Sequence, residues 1–129
     1  MIKIYTDAAT KGNPGPTGLG ILIIDQHHQQ QLSQTIDQAT NHEGEFAAAI
    51  AGFQYLVDHY SHSETVLFYT DSRLLSDAVG KNYSKHYKLQ LDQLNHLMDQ
   101  FTTVVTQWIS ERENHGAHNL ANQALQRLE

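Results

Sequence analysis

The spacing of the apolar residues changes its period at Glu43, and that change restricts the fold of this chain more than any other feature. Upstream of it, apolar residues keep the spacing of strands. Residues 2–6 alternate and are rich in Ile and Tyr, and residues 19–24 read Leu-Gly-Ile-Leu-Ile-Ile, the composition of a buried strand. A polar turn over 25–29 and a third strand over 30–36 complete an antiparallel meander. Gly12-Asn13-Pro14-Gly15-Pro16, followed by Gly18 and Gly20, predicts a shaped loop between the first two strands. Downstream, Phe46, Ile50, Phe53, Leu56, Val57 and Tyr60 recur at helical spacing, among alanines that favour a helix. Val66 to Thr70 reads as a short strand, 73–79 as a helical turn ending near Gly80, and Leu89 to Phe101 as an amphipathic helix. A strand over 103–109 and a helix over 119–128 follow. The order β-β-β-α-β-α-α-β-α predicts an α/β fold, a mixed sheet flanked by helices, in one domain over 1–129.

Composition narrows the chemistry. With no cysteine, disulfides, thiolate-held zinc, iron–sulfur clusters and thiol catalysis are excluded. No apolar run approaches the ~20 residues of a membrane span. The opening Met-Ile-Lys-Ile-Tyr-Thr-Asp reads as a strand rather than a signal peptide, so the expected location is cytoplasmic, with no membrane partner. Eight basic against 14 acidic side chains leave a net charge of −6, whereas proteins that grip phosphates usually show a basic face. The objection weakens if acids gather at a metal site. The nine histidines are scattered, apart from His27-His28 and His115 with His118, and most read as solvated surface residues.

Three acids sit where such a site would form. Asp7 ends the first strand, Asp71 follows the fourth, and Glu45 lies near the start of the first long helix. If strands one and four are parallel neighbours, Asp7 and Asp71 converge at one sheet edge, where α/β sheets collect ligands. Converging carboxylates repel, and the repulsion is relieved by protons or by a cation. Oxygen ligands suit Mg²⁺ or Mn²⁺, and two such ions roughly 3.5–4 Å apart can clamp a phosphodiester. Taken singly, each acid also has a structural reading: Asp71-Ser72 as a helix cap, and Glu45 as a complement to its helix dipole.

The motifs resemble those of type 1 ribonuclease H in its compact bacterial form. They are Tyr5-Thr6-Asp7 through Gly12-Asn13-Pro14-Gly15-Pro16, Ala39-Thr40-Asn41-His42-Glu43-Gly44-Glu45, Tyr69-Thr70-Asp71-Ser72, and Trp108-Ile109 with Asn114-His115-Gly116-Ala117-His118-Asn119-Leu120-Ala121. The matches run in order from residue 5 to residue 125. The resemblance implies a ribonuclease H-like fold with a five-stranded mixed sheet. It implies that Asp7, Glu45 and Asp71 hold two Mg²⁺ or Mn²⁺ ions, with Asp7 bridging both. It implies cleavage of the RNA strand of RNA–DNA hybrids to 5′-phosphate products, by a monomer. Asn13, Asn41 and His42 match groove-reading positions, Thr40 a phosphate contact, and Ser72 a further substrate-side position.

The chain departs from the family at His118, where the family usually has a fourth acid. A neutral imidazole suits Mn²⁺ better than Mg²⁺. Three readings stand at this stage: a working ligand with a Mn²⁺ preference, a water-mediated contact in a slow enzyme, or a site that binds nucleic acid or protein without cutting. His115 is a candidate proton shuttle or a polar loop residue. Lys81, Lys85 and Lys88, interleaved with Tyr83 and Tyr87, are candidates for a DNA-strand contact or a solvated connection.

Overall fold

The strand-spaced stretch forms the meander its pattern predicts. The structure, a computed structural model, describes residues 1–128. Strand β1 (Ile2–Thr10) pairs antiparallel with β2 (Gly15–Ile24), and β2 pairs antiparallel with β3 (Gln29–Ala39). Helix α1 (Asn41–His59) returns the chain to β4 (Thr65–Thr70), which lies parallel to β1. Helices α2 (Arg73–Lys81) and α3 (Lys88–Met98) lead to β5 (Thr103–Trp108), parallel to β4. A 3-10 turn (Glu111–Glu113) precedes α4 (His115–Gln126). The sheet order is β3-β2-β1-β4-β5, so β1 is its central strand.

The period-two pattern divides the two faces. Ile2, Ile4, Ile21, Ile23, Val66 and Phe68 are buried against Phe46, Phe53 and Leu56 of α1 and against Leu91, Leu94 and Leu97 of α3. Each fully buried side chain of this size contributes on the order of 1.5–3 kcal/mol. The opposite face of β1 and β2 carries α4, at unusually short range. A Cβ on Gly18 would come within 2.1 Å of the Ala121 carbonyl oxygen, and one on Gly20 within 2.1 Å of that of Ala117. These glycines therefore do not extend the loop. They are strand residues that let a helix backbone rest on the sheet.

Several element boundaries differ from the sequence reading, among them the four that bear on the site. The Gly/Pro loop is shorter, because β2 starts at Gly15. β1 continues to Thr10, so Asp7 lies inside a strand and not at its end. β3 runs from Gln29 to Ala39, carried past its weak apolar pattern by the ladder it shares with β2. α4 begins at His115 rather than Asn119, because the tight packing of Ala117 over Gly20 adds a polar first turn to the apolar stripe.

Candidate active site

The parallel ladder between β1 and β4 ends at Thr6 with Thr70. Asp7, still in β1, and Asp71, just past the end of β4, are the next residues, so the two carboxylates emerge side by side where the strands part. Helix α1 brings the third. Its N-terminus is fixed by a capping box, with Thr40 Oγ1 accepting from the Glu43 amide at 3.1 Å and Glu43 Oε1 accepting from the Thr40 amide at 2.8 Å. Two residues on, Glu45 is buried and faces the same spot. One ligand oxygen from each of Asp7, Glu45 and Asp71 lies within 4.8 Å of the others.

This arrangement is electrostatically costly without a cation. Burial and the neighbouring Asp71 push the Asp7 carboxyl up to about 6, against the lowering effect of its His118 contact. Burial, then Asp7 and Asp71, raise Glu45 well above the usual carboxylate range. Burial, with Glu111 nearby, raises Asp71, while Asn114 opposes the rise. Glu45 Oε1 is buried with no hydrogen-bond partner. A crowded set of hard oxygens with an orphaned lone pair fits a divalent cation, and these three residues could hold one.

Helix α4 brings a histidine to the acids. His118 Nδ1 lies 2.9 Å from Asp7 Oδ2, and its Nε2 is 3.1 Å from Asn122 Nδ2 and 3.9 Å from Glu111 Oε1. Buried Asn114 donates to the Thr6 carbonyl at 2.9 Å and to Asp71 Oδ2 at 3.2 Å, fastening the start of α4 to both strands. Asp71 is held further by the Trp108 indole, which donates to its carbonyl at 2.9 Å, and the Arg73 guanidinium covers that indole at 3.8 Å. Sequence reasoning gave no role to Asn114, Asn122 or Glu111. Their polar side chains have an obvious surface reading, and only tertiary contact brings residues 108 and 111 positions apart together.

The remaining candidates fall into separate groups. Asn13 Oδ1 accepts from the Asn41 amide at 2.9 Å, which ties the β1–β2 turn to the start of α1 and sets Asn13, Thr40 and Asn41 in one row. The His42 ring meets Tyr87 edge-on at 6.1 Å, and Tyr87 in turn stacks on Phe46. The Ser72 hydroxyl is buried and caps α2 by accepting from the Leu75 amide, as its structural reading holds. His115 is the exposed first residue of α4, not a loop residue. Lys81, Tyr83 and Lys85 lie around the connection from α2 to α3, with Tyr83 64% exposed, while Lys88 pairs with Asp92 at 3.0 Å.

A mixed sheet that gathers three acids where its first and fourth strands part defines the ribonuclease H-like class. Residues 5–124 match the family described as reverse transcriptase-like. The chain is 37% identical over 130 residues to a putative hydrolase, EbsB, of Enterococcus faecalis, covering 99% of this chain and 96% of that protein. It is 40% identical over 87 residues to a ribonuclease H of Trichodesmium erythraeum, covering 67% of this chain and 53% of that protein, so the match spans about half of that relative's length. Among solved structures, LC11-RNase H1 in complex with RNA/DNA hybrid superposes with a TM-score of 0.89 at 27% identity over 98% of each chain. The RNase H1 of Halobacterium salinarum shares the fold at the same TM-score, 0.89, and 24% identity, with 98% of each chain covered. The chain belongs to the reverse transcriptase-like family and, within it, to the type 1 ribonucleases H. Among the described residues, no helix is long and apolar enough to cross a membrane.

Proposed function

We propose that this chain hydrolyses the RNA strand of RNA–DNA hybrids at the site formed by Asp7, Glu45 and Asp71. One observation carries the reading: three carboxylates lie within 4.8 Å of one another, two of them buried. Asp7, Glu45 and Asp71 would hold two divalent cations, which would supply positive charge for attack by water on the scissile phosphate, with a 5′ phosphate left on the product. Asp7 would be the ligand shared by both ions, as the resemblance to the family implies. Asn13 and Asn41 face the minor groove, where hybrid shape and 2′-hydroxyls are read, and Thr40, whose hydroxyl also bonds the Glu43 carboxylate, stands beside them at the phosphate-contact position. Lys81 and Lys85 supply charge for the DNA strand, and the protein acts as a monomer.

His118 takes the place of the fourth acid. As a metal ligand it favours Mn²⁺ over Mg²⁺, provided that a ring lone pair is turned toward the ion. The hydrogen bond from His118 to Asp7 supports a second reading, a domain that binds hybrids and cuts them slowly or not at all. Hydrolysis of an end-labelled hybrid by the purified protein, in Mg²⁺ and in Mn²⁺, separates the two. Metal-dependent cutting that Asp7→Asn reduces by at least about 100-fold is the expected result, since removing a ligand costs more than the loss seen for residues behind one. Unchanged cutting in that variant overturns the assignment. Binding without cutting in either metal by folded protein establishes the second reading. Double-stranded RNA run in parallel tests the choice of substrate.

A further inference from the structure

The imidazole of His118 is engaged at both nitrogens, by Asp7 Oδ2 at Nδ1 and by Asn122 Nδ2 at Nε2. Heavy-atom distances alone leave open which nitrogen carries the proton. Another contact of Asn122 decides it. The same Asn122 Nδ2 lies 3.0 Å from the backbone carbonyl oxygen of His118. A carbonyl oxygen only accepts, so the atom facing it is the amide nitrogen and not the amide oxygen. That nitrogen has two protons and donates only. Toward the ring it must donate as well, so Nε2 is the acceptor. The proton of the neutral ring is then on Nδ1, facing a carboxylate that can receive it.

We propose that Asn122 is a positioning residue that fixes neutral His118 as its Nδ1–H tautomer, making it a donor to Asp7 and turning its ring lone pair away from the three carboxylates. The consequence for metal binding rests on the site reading above, while the tautomer itself is a property of the metal-free protein. A ligating imidazole must present a lone pair, and which nitrogen does so is set by the bond the other one makes. Here Nδ1, the nitrogen that faces Asp7, has none to give. Coordination through it requires the proton to move to Nε2 and the Asn122 amide to turn, giving up its bond to the His118 carbonyl. Glu111 Oε1, on an exposed side chain 3.9 Å from Nε2, is beyond hydrogen-bond distance and would close on the ring to accept a hydrogen bond from Nε2–H. Asn122 and Glu111 therefore favour opposite tautomers, and a residue one helical turn beyond His118 governs how readily the ring becomes a ligand.

The test is a long-range proton–nitrogen correlation spectrum of metal-free protein labelled with ¹⁵N-histidine, at about pH 8, where an ordinary imidazole is neutral. The coupling pattern distinguishes the tautomers, and the signal lost in His118→Gln identifies the ring. The wild-type ring is expected in the Nδ1–H form. Asn122→Leu is expected to shift the tautomer ratio toward Nε2–H about five- to tenfold, the size of one hydrogen bond. Asn122→Asp, which offers Nε2 an acceptor, should make the Nε2–H form predominate. A wild-type ring in the Nε2–H form, or rapidly averaging between the two, overturns the proposal. So does an Asn122→Leu ring with an unchanged ratio, which would assign the tautomer to Asp7 alone. If the leucine variant does not fold, the wild-type and Asn122→Asp spectra still decide. No metal or hybrid is present, so the outcome does not depend on whether the protein cuts hybrids.

Discussion

At the scale of single residues, the site is a compromise between stability and charge. Asp7 is held at once by burial, by the repulsion of Asp71 and by the donor His118. Asparagine at that position keeps an oxygen for the His118 proton and removes the repulsion. Asp7→Asn is therefore expected to stabilise the metal-free protein by on the order of 1–2 kcal/mol near neutral pH, while abolishing cleavage. Thermal unfolding in the presence of a chelator checks the first half, and a lower Tm would show that the carboxylates are not strained against one another. The converse change is at the fourth position. His118→Asp supplies an oxygen ligand and a negative charge, and should raise cleavage in Mg²⁺ by on the order of tenfold while narrowing the difference between Mg²⁺ and Mn²⁺. Initial rates in the two metals measure it. No gain, from a wild type already fast in Mg²⁺, would mean that the histidine is no handicap.

At the scale of elements, two contacts decide where the helices stand. α4 rests on β2 through Gly18 and Gly20, and the atoms an added Cβ would strike are backbone atoms that cannot rotate aside. Gly20→Ala should cost about 2–3 kcal/mol, or roughly 10 °C in Tm, and should lower cleavage as well, because the displaced helix carries His118. At the other end of the sheet, Tyr60 after α1 donates to Asp25 Oδ2 at 2.7 Å, and the amides of His27 and His28 donate to Oδ1. The Tyr60 bond first, then these amides, hold the Asp25 carboxyl well below the usual range, while burial and Asp25 push the Tyr60 hydroxyl up to about 12. The depressed Asp25 contributes stability that is complete above its unfolded value of about 4 and is lost as pH falls below it. The raised Tyr60 contributes stability that is complete below about 10 and is lost as pH rises toward about 12. Tyr60→Phe should therefore flatten both limbs of a plot of Tm against pH. The order of the elements and the meeting of strands one and four were legible in the sequence, because the apolar period reports them directly. The start of α4 was not, since Ala117 acquires its partner, Gly20, only in three dimensions. The three acids were legible from motif and strand position, while Asn114 at the cap of α4 and Asn122 within it, both polar, carried no such signal.

At the scale of the whole molecule, a net charge of −6 leaves few positive groups for a polyanion. Lys81 and Lys85, on the connection between α2 and α3, are expected to carry a recognisable share of hybrid affinity. Replacing both with alanine should weaken binding equally across hybrid sequences and reduce the salt slope by about one for each lysine. Titrations of hybrid into the metal-free protein at several salt concentrations measure it, and an unchanged slope would place the DNA strand elsewhere. The path of the chain has a further consequence, in time rather than in space. Asp7, Glu45 and Asp71 lie in the first 71 residues, but the helix that covers the outer face of β1 and β2 and brings His118 to Asp7 is made after all of them. During synthesis, which exposes N-terminal segments first, the three acids come together on a sheet with one face still bare. A nascent chain stalled before α4 emerges would hold its carboxylates without the residue that engages them, so the site is assembled only once α4 has been made.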